Sequence, residues 1–231
     1  MKKNGKKLGV LGGMGSAASA EFLRILAGKV PAATDQQHPI VYMIADSEIP
    51  DRTSAILGKG PSPAEQIYKD LLQLSAMGAD LLAVPCNTAH YFIDRFTEPL
   101  PKPLIHIIEA TVLATKELSP EGAWMLSTLG TFQTGLYQNC AEKHNLPLFF
   151  PNEAQRQLIQ KSIEEVKANR RSEGGLICRR VVEELWKVKD LPVMTACTEL
   201  PLAYEASRLS KNKEVSSLGA LADACIRELY E

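Results

Sequence analysis

The chain predicts an α/β protein made of two pseudo-symmetric, open parallel-sheet halves, and three observations carry that expectation. Short apolar runs alternate with longer amphipathic stretches, the pattern of parallel strands joined by crossover helices. One series occurs twice: an apolar run, a loop of small residues, a helical stretch, then a second apolar run ending in cysteine. It runs from Leu8-Gly9-Val10-Leu11 and Gly12-Gly13-Met14-Gly15-Ser16 to Cys86, and from Ala123-Trp124-Met125-Leu126 and Ser127-Thr128-Leu129-Gly130-Thr131 to Cys197. The spacings nearly agree, with 74 positions from Gly12 to Cys86 and 69 from Thr128 to Cys197. Such a long period is a duplication of a half, not a solenoid repeat.

In chain order, strands are expected near residues 8–11, 40–44, 80–84, 103–107, 123–127 and 191–195. Each is apolar and short, and most are bounded by glycine, proline or small polar residues. The helix after the first loop carries Phe22, Leu23, Leu26 and Val30 on an apolar stripe. The helix after residue 61 has a start signal, with Ser62 as N-cap, Pro63 at the first position and Glu65 closing a capping box. Gly78 is its expected stop. Pro101, Pro103 and Ser119-Pro120 mark the crossing into the second half. The expected domains are 1–115 plus 208–231, with a returning helix near 218–229, and 116–207.

A chain of 231 residues can bury one large or two small cores. Its net charge of −1 gives no field to steer it to nucleic acid or to an anionic membrane. No 18-residue apolar stretch is present, so no membrane span is expected. Lys2, Lys3, Lys6 and Lys7 before an apolar run resemble the start of a signal peptide, but Gly9 to Gly15 is glycine-rich and runs straight into the first helix. Five cysteines without regular spacing argue for a reducing compartment, hence the cytoplasm. No metal-ligand spacing is present, and Cys140, Cys178 and Cys225 read as small apolar residues of helices.

Open α/β sheets bind ligands at the carboxyl ends of their strands, where Cys86 and Cys197 stand. Two thiols placed alike suggest two facing acid/base groups. Met14 lies in the first loop and Thr128 in its counterpart. The bare amides of Gly12 to Gly15 could seat a small carboxylate, or the glycines could serve only a tight turn. The spacing Gly13, Gly15, Ala18 does not meet the dinucleotide fingerprint. Asn87 and Thr88 beside Cys86, and Thr198 beside Cys197, offer hydrogen bonds to a carboxylate; both threonines could instead cap helices. Glu199 could orient a thiol or hold a substrate ammonium. His90, four residues after Cys86, shares its helix face and opens a Cys-His nucleophile reading. Arg52 suits bidentate carboxylate binding, against a plain surface ion pair with Asp51.

These residues closely resemble the aspartate/glutamate racemase family. The resemblance runs along nearly the whole chain and includes Leu8 to Gly15, Ile49-Pro50-Asp51-Arg52-Thr53-Ser54-Ala55-Ile56-Leu57-Gly58-Lys59-Gly60, Pro85-Cys86-Asn87-Thr88-Ala89-His90 and Cys197-Thr198-Glu199. The Asp-Arg-Thr stretch points to its aspartate branch. The resemblance implies two α/β domains with the active site between them, a homodimer, an amino-acid substrate, and proton transfer without pyridoxal phosphate, metal or any other cofactor. Cys86 and Cys197 would be the two bases, with Asn87, Thr88 and Thr198 around the α-carboxylate. Arg52 and Lys167 would hold a side-chain carboxylate. Three positions depart from the family pattern: Ser16 for proline, Ala196 for glycine, and Ser216-Ser217-Leu218 where an aspartate is frequent. A cysteine hydrolase using Cys86 and His90, and a silent amino-acid-binding homologue, are the alternatives.

Overall fold

The computed structural model describes residues 3–230. The chain divides into two compact units, residues 1–107 with 218–231 and residues 108–217. Each holds a four-stranded parallel sheet flanked by helices.

In the first unit the strands are β1 (Leu8–Gly12), β2 (Val41–Ala45), β3 (Leu81–Ala83) and β4 (Leu104–Ile105), in the order β2-β1-β3-β4. β1 pairs Leu8 with Val41 on one side and with Leu81 on the other, so the chain reverses its direction of winding between β1 and β3. β1 and β3 are buried at every residue, the behaviour of central parallel strands covered on both faces. Helices α1 (Ser16–Lys29), α2 (Arg52–Ile56), α3 (Ala64–Ala76) and α4 (His90–Ile93) belong to this unit. The core packs Leu11, Ile67, Leu71, Leu74 and Leu82 together with Met14, Cys86 and Ala89. The side of the Cys86 loop is therefore part of the hydrophobic core, which fixes its backbone.

α5 (Ile107–Leu118) leads into the second unit. There the strands are β5 (Ala123–Ser127), β6 (Leu148–Phe149), β7 (Val193–Ala196) and β8 (Glu214–Ser216), ordered β6-β5-β7-β8. The helices are α6 (Leu129–Thr134), α7 (Leu136–Lys143), α8 (Glu153–Lys167), α9 (Arg171–Val188) and α10 (Leu200–Ser207), before α11 (Ser217–Leu229) returns to the first unit. The strand order repeats that of the first unit, position for position. β5 and β7 are again the fully buried central pair.

The six expected strands are present, β5 end for end and the others with ends shifted by at most two residues, β4 being cut to Leu104–Ile105 because α5 begins at Ile107. Two edge strands, β6 and β8, were not expected. They are two and three residues long, too short to show a period. Because β8 pairs with β7, residues up to Ser217 group with the second unit, and the expected boundary at 207/208 precedes that strand. α3 begins one residue later than expected: Pro63 is the N-cap, and Ser62 Oγ only accepts from the Ala64 amide at 3.3 Å. Gly78 does end α3, with φ +97, a left-handed value that glycine adopts without strain.

Candidate functional site

Ligands in open parallel sheets bind beyond the carboxyl ends of the strands where winding reverses. In the first unit those ends carry the Gly12–Gly15 loop after β1 and Cys86 after β3; in the second they carry Thr128 after β5 and Cys197 after β7. Both cysteines, and most of the residues expected around them, thus occupy equivalent places in two equivalent sheets.

The glycine loop is a tight turn by necessity. Gly13 has φ +89, and a Cβ there would lie 2.1 Å from the Asp46 carbonyl oxygen. Its amide donates to Ser19 Oγ at 2.9 Å, and Ser19 in turn donates to the Gly15 carbonyl at 2.8 Å. One amide of the imagined carboxylate seat is therefore occupied. Ser19, buried on α1, was not singled out from sequence, since a serine inside a helix carries no signal of its own.

Arg52 opens α2, and it is buried rather than on an exposed loop. Asp51 does not pair with it: Asp51 caps the helix, accepting from the Ser54 amide at 2.7 Å. The guanidinium donates instead to three carbonyls, those of Ile49 at 3.1 Å, Pro50 at 2.9 Å and Met14 at 3.2 Å. Arg52 has no ion pair among the described residues. The contact with Met14 ties the arginine to the glycine loop, joining two motifs 38 positions apart.

Cys86, Asn87 and Thr88 are all buried in the turn between β3 and α4. Neither threonine is a helix cap: the N-caps of α4 and α10 are Ala89 and Glu199, because three residues separate Cys86 from its helix and two separate Cys197 from its own. His90 does lie over Cys86, but its Nδ1 faces the Cys86 carbonyl oxygen at 3.0 Å and not the thiol. Burial, followed by the neighbouring His106, pushes its pKa down to about 3. A base that weak does not suit the Cys-His nucleophile reading.

Cys197 donates from Sγ to Glu199 Oε2 at 3.2 Å, and Thr198 Oγ1 lies 3.5 Å from the same oxygen. Glu199 is 2% exposed, and its Oε1 is buried with no hydrogen-bond partner among the described residues. Burial and then the Glu199 charge push the Cys197 thiol well above its usual range, against the opposing charge of Lys167. A helix N-terminus by itself lowers a thiol pKa, and at Cys197 burial outweighs that effect. Lys167 sits exposed in the last turn of α8, close enough for its charge to act on the thiol. Thr128 is the N-cap of α6 and accepts from the Thr131 amide at 3.0 Å. Tyr137, fully buried on α7, also senses the charge of Cys197, and burial drives its phenol far above the usual value. No spacing rule marked it, because it reaches the site only through the packing of α7.

The remaining cysteines lie in helices α7, α9 and α11. Burial pushes Cys140 up to about 11, and Cys178 and Cys225 up to about 12. They stay thiols at neutral pH. No group of His, Cys, Asp and Glu able to hold a metal ion occurs among the described residues, and no helix there is long and apolar enough to cross a membrane.

Comparison with known proteins agrees with the fold. Residues 11–225 match the family model described as Asp/Glu/Hydantoin racemase. The broad specificity amino-acid racemase RacX of Bacillus subtilis is 24% identical over 205 residues, covering 84% of this chain and 85% of RacX. An aspartate racemase of Picrophilus torridus has a TM-score of 0.87 at 27% identity, over 97% of this chain and 94% of that one. A glutamate racemase isoform of Bacillus anthracis shares the fold at a TM-score of 0.68 and 18% identity, over 97% of this chain and 81% of its own. With a family match along most of its length, the chain belongs to the Asp/Glu/hydantoin racemase family and is an isomerase.

Proposed function

We propose that the protein is a cofactor-independent amino-acid racemase acting on aspartate, with Cys86 and Cys197 as the two acid/base groups. The observation that carries this reading is the matched placement of the two cysteines beyond β3 and β7, equivalent strands of two sheets with the same order. Racemisation needs one group to take the α-proton and another to return one to the opposite face. Each thiol must then approach within about 3–3.5 Å of the reacting centre. The raised pKa of Cys197 suits a thiol that starts protonated and donates.

The side-chain carboxylate is assigned to Arg52 and Lys167. Support for Arg52 is its setting: a buried guanidinium held by carbonyls alone favours an anion nearby. Support for Lys167 is its electrostatic reach to Cys197. Asn87, Thr88 and Thr198 are assigned to the α-carboxylate, and Met14 and Thr128 to the loops that bound the substrate. Glu199 orients the thiol through its Oε2. The cytoplasm is the proposed compartment, in keeping with five free cysteines. The proposed active form is a homodimer, which sedimentation would report as twice the 25.3 kDa chain mass.

The test is incubation with L-aspartate in deuterated water, followed by proton NMR and chiral analysis. Loss of the α-proton signal together with accumulation of D-aspartate is expected without added pyridoxal phosphate. Aspartate binding with no α-deuteration would instead favour a silent amino-acid-binding homologue, and hydrolysis of an amide would favour the Cys86–His90 alternative.

A further inference from the structure

The two oxygens of the buried Glu199 carboxylate have different surroundings. Oε2 accepts from the Cys197 thiol at 3.2 Å and lies 3.5 Å from Thr198 Oγ1. Oε1 is buried without a hydrogen-bond partner, and Glu199 forms no ion pair among the described residues. A buried acceptor without a donor is costly, and a ligand that brings a donor removes the cost. Other carboxylates near the strand ends are occupied. Asp46, after the edge strand β2, accepts from the Glu48 amide at 2.8 Å and from Gln66 Nε2 at 3.0 Å. Gln66 also donates to Asp70 Oδ1 at 3.0 Å, so the unpartnered Oδ2 of Asp70 belongs to a pair at the sheet edge. Asp51 caps α2, and the Gly12–Gly15 loop carries no carboxylate. Glu199 thus stands beside a cysteine, at the end of a central strand, with an acceptor to spare.

We propose that Glu199 is a two-ended carboxylate, its Oε2 holding the Cys197 thiol and its Oε1 receiving the α-ammonium of the substrate. This rests on the reading of Cys197 as an acid/base thiol, and adds to it a requirement for a free α-amine. Asn87, Thr88 and Thr198 offer donors to a carboxylate, but none carries the negative charge that complements an ammonium. The α-nitrogen and the α-hydrogen share one carbon. A thiol that reaches the hydrogen and an oxygen that reaches the nitrogen must therefore be neighbours, and a single carboxylate that bonds the thiol makes them so. The arrangement also couples binding to ionisation. Burial does most to keep Cys197 a thiol and the Glu199 charge comes next, while Lys167 and the Glu199 backbone amide favour the thiolate. The titratable and charged groups around the pair are Lys167 from α8 and Tyr137 from α7, whose phenol burial keeps neutral. An ammonium on Oε1 offsets the Glu199 charge and leaves Lys167 and the amide to act. Substrate therefore eases ionisation of the thiol that takes its proton, and an analogue without the amine does not.

The experiment compares L-aspartate with succinate, which keeps both carboxylates and lacks the amine, by isothermal titration calorimetry on the full chain. Wild type should bind aspartate at least about tenfold tighter, the effect of one charge-assisted hydrogen bond. Glu199→Gln should bring the two affinities to within about threefold, because its amide has no charge for the ammonium. A glutamate that only orients the thiol would leave the ratio alone. Aspartate that binds no tighter than succinate to wild type, or a ratio unchanged in the variant, overturns the proposal. Where the variant fails to fold, wild type labelled with 13C at its glutamate carboxyls decides. Aspartate should then shift a carboxyl resonance that succinate leaves in place, and identical spectra overturn the proposal. Absence of α-deuteration with the affinity ratio behaving as expected would reject the racemase reading alone. Racemisation by wild type with an unaltered ratio in Glu199→Gln would reject the amine site alone.

Discussion

Cys197 and Glu199 are bonded to each other, Sγ to Oε2 at 3.2 Å, inside a turn that excludes nearly all solvent from both. The contact joins residues two apart, so it is made by local backbone geometry, but only the buried turn after β7 gives it force. In low dielectric a carboxylate beside a thiol opposes thiolate formation and accepts the thiol proton. Glu199 therefore adds to burial in keeping Cys197 a protonated thiol.

Replacing Glu199 by glutamine should lower the pKa of Cys197, because it removes the second-largest cause of the upward shift after burial and leaves Lys167 in place. Alkylation of Cys197 by iodoacetamide, followed by peptide mapping across pH, should move its midpoint down. Racemisation should fall by about tenfold or more, as the donor is lost from its proper protonation state. An unmoved midpoint would show that the Glu199 charge does not reach the thiol.

Cys86→Ala and Cys197→Ala should each abolish racemisation, by about 100-fold to 10,000-fold for loss of one positioned acid/base group. Each variant keeps the other thiol, so slow α-deuterium exchange from a single enantiomer should survive. Chiral chromatography and proton NMR measure the two quantities separately. Full racemisation by Cys197→Ala would sink the two-base mechanism.

Arg52→Lys should weaken aspartate turnover strongly, since an ammonium cannot reproduce a fork-shaped donor, and Arg52→Ala should do more. Burial adds a structural effect. Alanine leaves the carbonyls of Met14, Ile49 and Pro50 without this donor, and a buried acceptor left unsatisfied costs on the order of 1–3 kcal/mol. Urea midpoints report that loss, and the ratio of aspartate to alanine turnover reports the role in substrate reading. A ratio equal to wild type would remove Arg52 from substrate recognition.

Glu214, on β8, accepts from Thr195 at 2.9 Å, and burial pushes its pKa up to about 7 from 4.5. Between those values the folded state binds a proton that the unfolded state has lost, so the contribution of Glu214 to stability falls as pH rises through that window. The full shift corresponds to at most about 3 kcal/mol. Glu214→Gln keeps an acceptor for Thr195 and removes the charge. Urea denaturation near pH 8 should find the variant more stable than wild type, with the difference shrinking towards pH 5. Parallel pH profiles of the two proteins would contradict the shift.

The central strands were legible in the sequence because burial on both faces makes them continuous apolar runs, as in Leu8–Leu11 and Ala123–Leu126. Their edge partners β6 and β8 were not, since two or three residues show no period. The duplication was also legible, because each half repeats a small-residue loop and a strand-end cysteine at nearly the same spacing, and the two sheets share one strand order.

By itself, the sequence determined which residues stand at the carboxyl ends of the central strands, because strand ends follow from local pattern and turn chemistry. It determined the family in the same way, through the motifs around Cys86, Arg52 and Cys197. Tertiary structure decided what each side chain does there. It buried Arg52 and tied it to Met14, 38 positions away. It turned His90 towards the Cys86 carbonyl and against His106. It raised the pKa of Cys197 where a helix N-terminus alone would have lowered it. Burial and long-range hydrogen bonds set these properties, and both depend on which distant segments pack together, which no local pattern encodes.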